Sequence, residues 1–273
     1  ARRRPQVSAS QPSTLRRLPA DSREPLRPGD LLLTHPLSGL FQPMFDMAVL
    51  LVLRVDGESD TAQGLLLNKP GDSTLGQLLE AVPGRSSAGR LLGPDWPGGE
   101  LFGAGAAEGP LRPLSDNAVF QGGPIGHESL DDSVLWLHLR GDVVPDAREI
   151  APSIFLGGDL GVAAALEVAR RGRGEASGLR LFRGFSAWSL LQLEIELERG
   201  IWIRARAECP SAALELCLGK AAGEAAWRSA LEAVGLPALA RFPRGPTVDG
   251  ALLDVVEAHQ RARAAELVDA GRA

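Results

Sequence analysis

With 273 residues, 44% hydrophobic content and a net charge of −5, the chain is long enough to bury a sizeable core without disulfides or metal. The charge is uneven: residues 1–27 hold seven of the 29 basic and two of the 34 acidic residues, leaving 22 basic against 32 acidic, a net −10, for the remainder. A body that acidic repels phosphate backbones, and with no zinc finger or basic recognition helix the sequence argues against nucleic-acid binding. Cys209 and Cys217, eight apart, form neither a disulfide framework nor a zinc-ligand set. No apolar run approaches the roughly 18 to 20 residues of a membrane-spanning helix, so a soluble chain is expected.

Residues 1–20 carry Arg2, Arg3, Arg4, Arg16 and Arg17 among serines and prolines, with no acid before Asp21. Two readings stay open, the end of an organelle transit peptide or a disordered basic segment through residue 27. Asp30 to His35 reads as a strand and Met47 to Val55 as a second, buried on both faces. Thr61–Leu67 pairs back as a hairpin across the turn at Asp56-Gly57. Asn68-Lys69-Pro70 ends that strand. Ser73 is placed as N-cap of a short helix to about Val82, because Leu75, Leu78, Leu79 and Val82 recur at helical spacing.

Residues 83–117 are rich in Gly and Pro without sustained period and read as an insertion or binding loop. Strands follow at Ala118–Gln121, running into Gly122-Gly123-Pro124, and at Val134–Leu139 and Ile154–Leu156. In the second, Leu135, Leu137 and Leu139 share one face and Val134, Trp136 and His138 the other. Asp159 caps a helix to about Arg171. Leu179 to Phe185 is strand-like, as is Ile201 to Ala207. Helices are expected at Ser211–Leu218, at Gly223–Val234 and from near Asp249, where Leu252, Leu253, Val256 and His259 share a side. Strand pairs precede helices without regular alternation, which predicts a mixed α+β domain over residues 28–245 and a helical extension over 246–273.

The densest signal is the stretch from Gly184 to Trp202. Ser189 as N-cap with Gln192 at N3 predicts a capping box, and Gly200 falls where a C′ glycine belongs, giving a helix over Leu190–Arg199. Leu193 to Glu198 also alternates at period two, but the cap, the glycine stop and the Leu/Glu/Gln content decide for helix. Trp188, Leu191 and Ile195 make one apolar stripe and Leu190, Leu193 and Leu197 the opposite one, so the helix is expected to be gripped from two sides. Ser189, Gln192 and Glu196 form a polar edge between them. Trp188 and Trp202 are expected in the core.

Candidate binding residues follow from chemistry. Gly122 and Gly123 after a strand serve either as a turn or as an anion cradle built from backbone amides. Asn68 either bonds local backbone at the strand end or lines a cleft. His138, beside Trp136 on a strand, is either a hydrogen-bonded core histidine or an acid–base group. His35, His127 and His259 are scattered and compose no metal site. Glu128, Asp131 and Asp132 read as an exposed acidic loop. Neither a metal nor a cofactor is expected, and no catalytic residue is assigned.

Gly64-Leu65-Leu66-Leu67-Asn68-Lys69-Pro70, Gly122-Gly123-Pro124 and Gly184-x-x-x-Trp188-x-x-x-Gln192-Leu193-x-x-Glu196, in this order, resemble the AlgH/YqgE family. So do Gly29-Asp30-Leu31-Leu32, the loop from Phe41 to Phe45, the closing Gly200-Ile201-Trp202 and Trp227. The resemblance covers roughly residues 28–244. It departs at Ala187, where the family usually has Gly, and the insertion and both ends are similar to plant and algal plastid homologues. It implies an α+β fold with a mixed, strongly bent β-sheet forming a pseudo-barrel with flanking helices. The signature residues Gly64, Pro70, Pro124, Gly184, Trp188, Leu193, Gly200 and Trp202 are then structural, and Asn68, His138, Gln192 and Glu196 are candidates for one lined cleft. The function expected is a non-enzymatic binding, assembly or regulatory factor in a plastid, alternatively in the cytoplasm, with a protein partner held by the 83–117 insertion or the 246–273 helix. The alternatives are a hydrolase-like enzyme working near His138 and Glu196, and the transcriptional-regulator label carried by bacterial relatives.

Overall fold

The computed structural model describes residues 15–19, 22–81, 111–126 and 134–270. Among these, twelve strands form two six-stranded sheets. The first runs β1 (Leu15–Leu18), β12 (Trp202–Ala207), β2 (Asp30–Thr34), β3 (Val49–Asp56), β4 (Thr61–Leu66), β11 (Ser186–Ser189), antiparallel throughout. The second runs β5 (Pro70–Thr74), β6 (Ala118–Gln121), β10 (Leu179–Arg183), β7 (Val134–His138), β9 (Ile154–Leu156), β8 (Arg148–Ala151), with β6 and β10 its parallel pair. The helices are α1 (Leu75–Ala81), α2 (Leu160–Gly172), α3 (Leu190–Glu198), α4 (Pro210–Leu218), α5 (Gly223–Ala233), α6 (Pro237–Ala240) and α7 (Pro246–Ala270). This is the α+β class expected. The bend is concentrated at a corner between two sheets, and neither closes into a barrel.

Buried clusters lie on both faces of each sheet, which explains the consecutive apolar residues of β2, β3 and β7. Successive side chains alternate faces. Leu31 and Leu33 of β2 point with Leu135 and Leu137 of β7 into a central core that α4 and α5 also enter through Ala213, Cys217 and Trp227. Leu32 points the other way, into a cluster with Leu50, Trp188, Leu193 and Trp202 beneath α3. Val134 and Trp136 turn away from the central core toward α1 and α2. Trp227 is fully buried and donates its indole N–H to the carbonyl of Thr34 at 2.8 Å, so its one polar atom is satisfied.

The chain crosses between the sheets twice in the same place. It leaves the first sheet after β4 through Leu67-Asn68-Lys69, and returns from β10 to β11 through Gly184-Phe185. Between these passages lies Gly122, whose N–H donates to Arg183 O at 2.7 Å and whose carbonyl accepts from Leu66 N at 2.7 Å. A Cβ on Gly122 would stand 2.0 Å from the Gly184 carbonyl oxygen, so three backbones meet there at a distance only glycine permits. Ile125 and Phe185 add an antiparallel bridge.

Several expectations are corrected. The N-terminal segment expected to be disordered contributes β1, because Leu15 and Leu18 are buried and Arg16 is held by Glu24 and Glu208 at 2.7 and 2.6 Å. Behind it, buried Asp30 accepts from both Arg204 and Arg206, an ion network that clamps β2 to β12. Ser73 is not a cap: β5 continues to Thr74, whose hydroxyl accepts from Gln77 N at 3.3 Å while Gln77 Oε1 accepts from Thr74 N at 2.8 Å. That reciprocal pair is the capping box of α1. Residues 82–110, most of the expected insertion, and His127, Glu128, Asp131 and Asp132 lie outside the described residues. The described end of the insertion is core, since Leu111 and Leu114 are buried against α1 and α2. Ala187 lies exposed in extended strand β11, where no positive φ is required. The C-terminal helix starts at Pro246, three residues before Asp249.

Candidate functional site

α3 begins where β11 ends. The Ser189 hydroxyl accepts from Gln192 N at 3.1 Å, and Gly200, at φ +70, closes the helix as its C′ residue. The second half of the expected capping box is missing, because the Gln192 side chain turns along the helix and donates Nε2–H to Glu196 Oε1 at 2.9 Å. The two-sided grip is also absent. Leu193 is buried, with Leu190 and Leu197 packed partly beside it, while Leu191 is 63% exposed and Ile195 is 36% exposed.

The Glu196 carboxylate is pinned a second time by the indole N–H of Trp202, which donates to Oε2 at 2.7 Å. Trp202 stands edge-on to Trp188 and to Phe45, with centroids 6.1 and 5.6 Å apart. Phe45 comes from the double 3-10 turn between Ser38 and Phe45, and its carbonyl accepts from the Thr34 hydroxyl at 2.6 Å. Together Thr34, Ser38, Gln42, Phe45, Glu196 and Trp202 line an open cleft of about 320 Å³. Phe45, Thr34, Ser38 and Gln42 were not singled out from sequence. The Phe-containing loop was visible there, but only the fold brings it against Glu196.

The wall of the cleft is braced from behind. Asp46, next to Phe45, receives both terminal nitrogens of Arg244 at 2.7 and 3.0 Å, and Arg244 also holds Asp249 in the first turn of α7. Lys69 donates its Nζ to the Asp46 carbonyl, and burial pushes its pKa down from the ordinary lysine value. The signature lysine, the cleft loop and the root of the C-terminal helix therefore share one polar knot.

The other candidate residues lie elsewhere. Asn68 is buried at the corner; Oδ1 accepts from Val49 N at 2.8 Å, and Nδ2 donates to Met47 O and Gly223 O at 2.8 and 2.7 Å. His138 is buried on β7, stacked on Phe155, and donates Nε2–H to Gly157 O at 3.0 Å while Nδ1 accepts from Arg140 N at 3.1 Å. Burial lowers its pKa, and both ring nitrogens are engaged by backbone. His138 lies on β7 of the second sheet and Glu196 on α3 beside the first, and they share no hydrogen bond, so the single cleft expected for Asn68, His138, Gln192 and Glu196 resolves into three places. The Gly122 amide, considered for an anion cradle, is engaged by Arg183 O. Pro124 is exposed just past the corner and Pro70 opens β5. Among the described residues no three His, Cys, Asp or Glu side chains group as a metal site, and no helix is long and apolar enough to cross a membrane.

The corner, the two sheets and the capped α3 define a protein of the AlgH type. A crystal structure from Corynebacterium diphtheriae shares the fold, with a TM-score of 0.51 and 22% identity over 82% of this chain and 96% of that one. The AlgH-like family model matches residues 31–238, and the chain belongs to that family. A UPF0301 protein from Chlorobaculum tepidum is 32% identical over 184 residues, covering 67% of this chain and 77% of the relative. Its counterpart from Chlorobaculum parvum is 30% identical over the same coverage.

Proposed function

We propose that this AlgH-like chain is a non-enzymatic binding or assembly factor. The observation that carries this reading is the exposed apolar stripe of α3, Leu191 and Ile195, on the helix that also turns Glu196 into the aromatic-lined cleft. Apolar side chains left out of a core beside a concave aromatic site are the ordinary anatomy of a recognition surface. The hydrolase-like alternative is the less favoured reading, because His138 bonds the Gly157 carbonyl beside the second sheet while Glu196, on α3, is held by Gln192 and Trp202.

A protein partner is held by α3 and by α7, the helix rooted through Arg244 in the cleft loop. Affinity purification with the intact chain, with residues 1–245, and with Leu191→Glu/Ile195→Glu tests this. A specific partner is expected to be captured by the intact chain and lost from both altered forms, with thermal unfolding of the double variant unchanged. Equal capture by all three would overturn the proposal. The plastid address rests on Arg2, Arg3 and Arg4, since Arg16 is engaged by the fold. A reporter fused to residues 1–27 is expected in the plastid, and a diffuse cytoplasmic signal would refute the address.

A further inference from the structure

We infer that the cleft between α3 and the Ser38–Phe45 turns is a binding pocket for an organic ammonium group. This deepens the binding reading above by naming the chemistry of what is bound. A carboxylate offers about four lone-pair positions. In Glu196 one oxygen is taken by Gln192 and the other by Trp202, so each retains an accepting position, and the two hydrogen bonds fix the group in one orientation. Both donors are neutral. Among the described residues no lysine, arginine or histidine forms an ion pair with Glu196, although every other buried or half-buried ionic cluster near the first sheet is closed by its own cation. Arg199, three residues further along, is exposed and unpaired with it. His35 lines a different pocket with Trp202 and forms no ion pair with Glu196, and burial lowers its pKa.

The remaining lining fits the same ligand. Phe45 and Trp202, packed edge to face beside the carboxylate, line the cleft with Leu37 and Ile201 and supply apolar contact for the alkyl part of such a group. A fixed anion in an apolar-lined cleft discriminates by charge, because an uncharged group of the same shape gains the apolar contact alone. A volume of about 320 Å³ admits a quaternary ammonium or the end of a lysine side chain. Gln42, exposed at the rim, neutralises nothing and leaves the approach open.

The test compares cations with their neutral isosteres on the intact chain by calorimetry and tryptophan fluorescence. Choline is paired with 3,3-dimethylbutan-1-ol, and N-acetyl-lysine methylamide with N-acetyl-norleucine methylamide, so the first pair probes a free small cation and the second a lysine side chain. At least one cation is expected to bind about tenfold or more tightly than its isostere, and Glu196→Gln to abolish that preference. Gln42→Lys, which places a resident cation at the rim, is expected to weaken binding several-fold, and Gln42→Glu to tighten it; neither touches the core, so both remain readable if Glu196→Gln misfolds. Equal affinity for charged and neutral probes, binding by neither cation, or a preference that survives Glu196→Gln and Gln42→Lys would overturn the inference. Those outcomes leave the Leu191/Ile195 docking experiment standing on its own result.

Discussion

Asn68 and Glu196 are both polar residues of the family signature, yet their surroundings are opposite. Asn68 is sealed at the corner between the sheets with three hydrogen bonds to backbone, from β3, from Met47 and from the start of α5. Glu196 is half-buried, held by two neutral donors, with lone pairs left toward an open cleft. One residue completes the fold and the other is presented by it. Recurrence in a motif therefore does not separate structural from binding residues, whereas the count of satisfied polar positions does.

If the corner is structural, its residues should be the most costly to change. Gly122→Ala forces a methyl into the Gly184 carbonyl, with Leu65 also only 2.7 Å away, and no flexible side chain can yield enough to admit it. Destabilisation of about 4 kcal/mol or more is expected, read as a large fall in thermal midpoint or a failure to fold. A variant that melts like the parent would mean that the corner is looser than described, and would reopen Gly122 as a ligand-facing residue.

Asn68→Ala comes next. It leaves the amide of Val49 and the carbonyls of Met47 and Gly223 without their partner at a buried position. At about 1 kcal/mol or more for each stranded group, a loss of roughly 3 kcal/mol is expected from denaturant unfolding. If stability is unchanged while ligand or partner binding falls, Asn68 belongs with Glu196 and the contrast fails.

The sequence carried most of the fold because the strands announce themselves by composition. Ala118–Gln121 and Ile154–Leu156 have the expected bounds, and Asp159 caps α2 as predicted, accepting from Val162 N. What stayed hidden depends on partners distant in the chain. β1 is a strand because β12, some 190 residues away, offers it an edge, and nothing local in Leu15-Arg16-Arg17-Leu18 says so. β11 lies inside a segment whose helix signals are stronger than its strand signals, and it forms by pairing with β4. The candidate cleft was legible only in part. Gln192 and Glu196 could be placed on one helical edge by 100° arithmetic, but that edge acquires an aromatic wall only when Phe45 arrives from the 3-10 turns and Trp202 from β12. His138 was grouped with them because residue type suggests chemistry, and the fold instead gives both its nitrogens to backbone.

The smallest expected effects lie within α3 itself and separate the cap from the presented edge. Ser189→Ala removes the one side chain that satisfies the Gln192 amide, an exposed N-cap worth about 1 kcal/mol. Gln192→Ala removes no cap, because its side chain reaches Glu196 instead of Ser189; a change within about 0.5 kcal/mol is expected. A full capping box would make the two losses similar. Paired urea titrations of the two variants therefore distinguish a Gln192 that stabilises the helix start from one that steadies the carboxylate. Only in the second case should Gln192→Ala loosen Glu196 and weaken cation binding while leaving the unfolding midpoint in place.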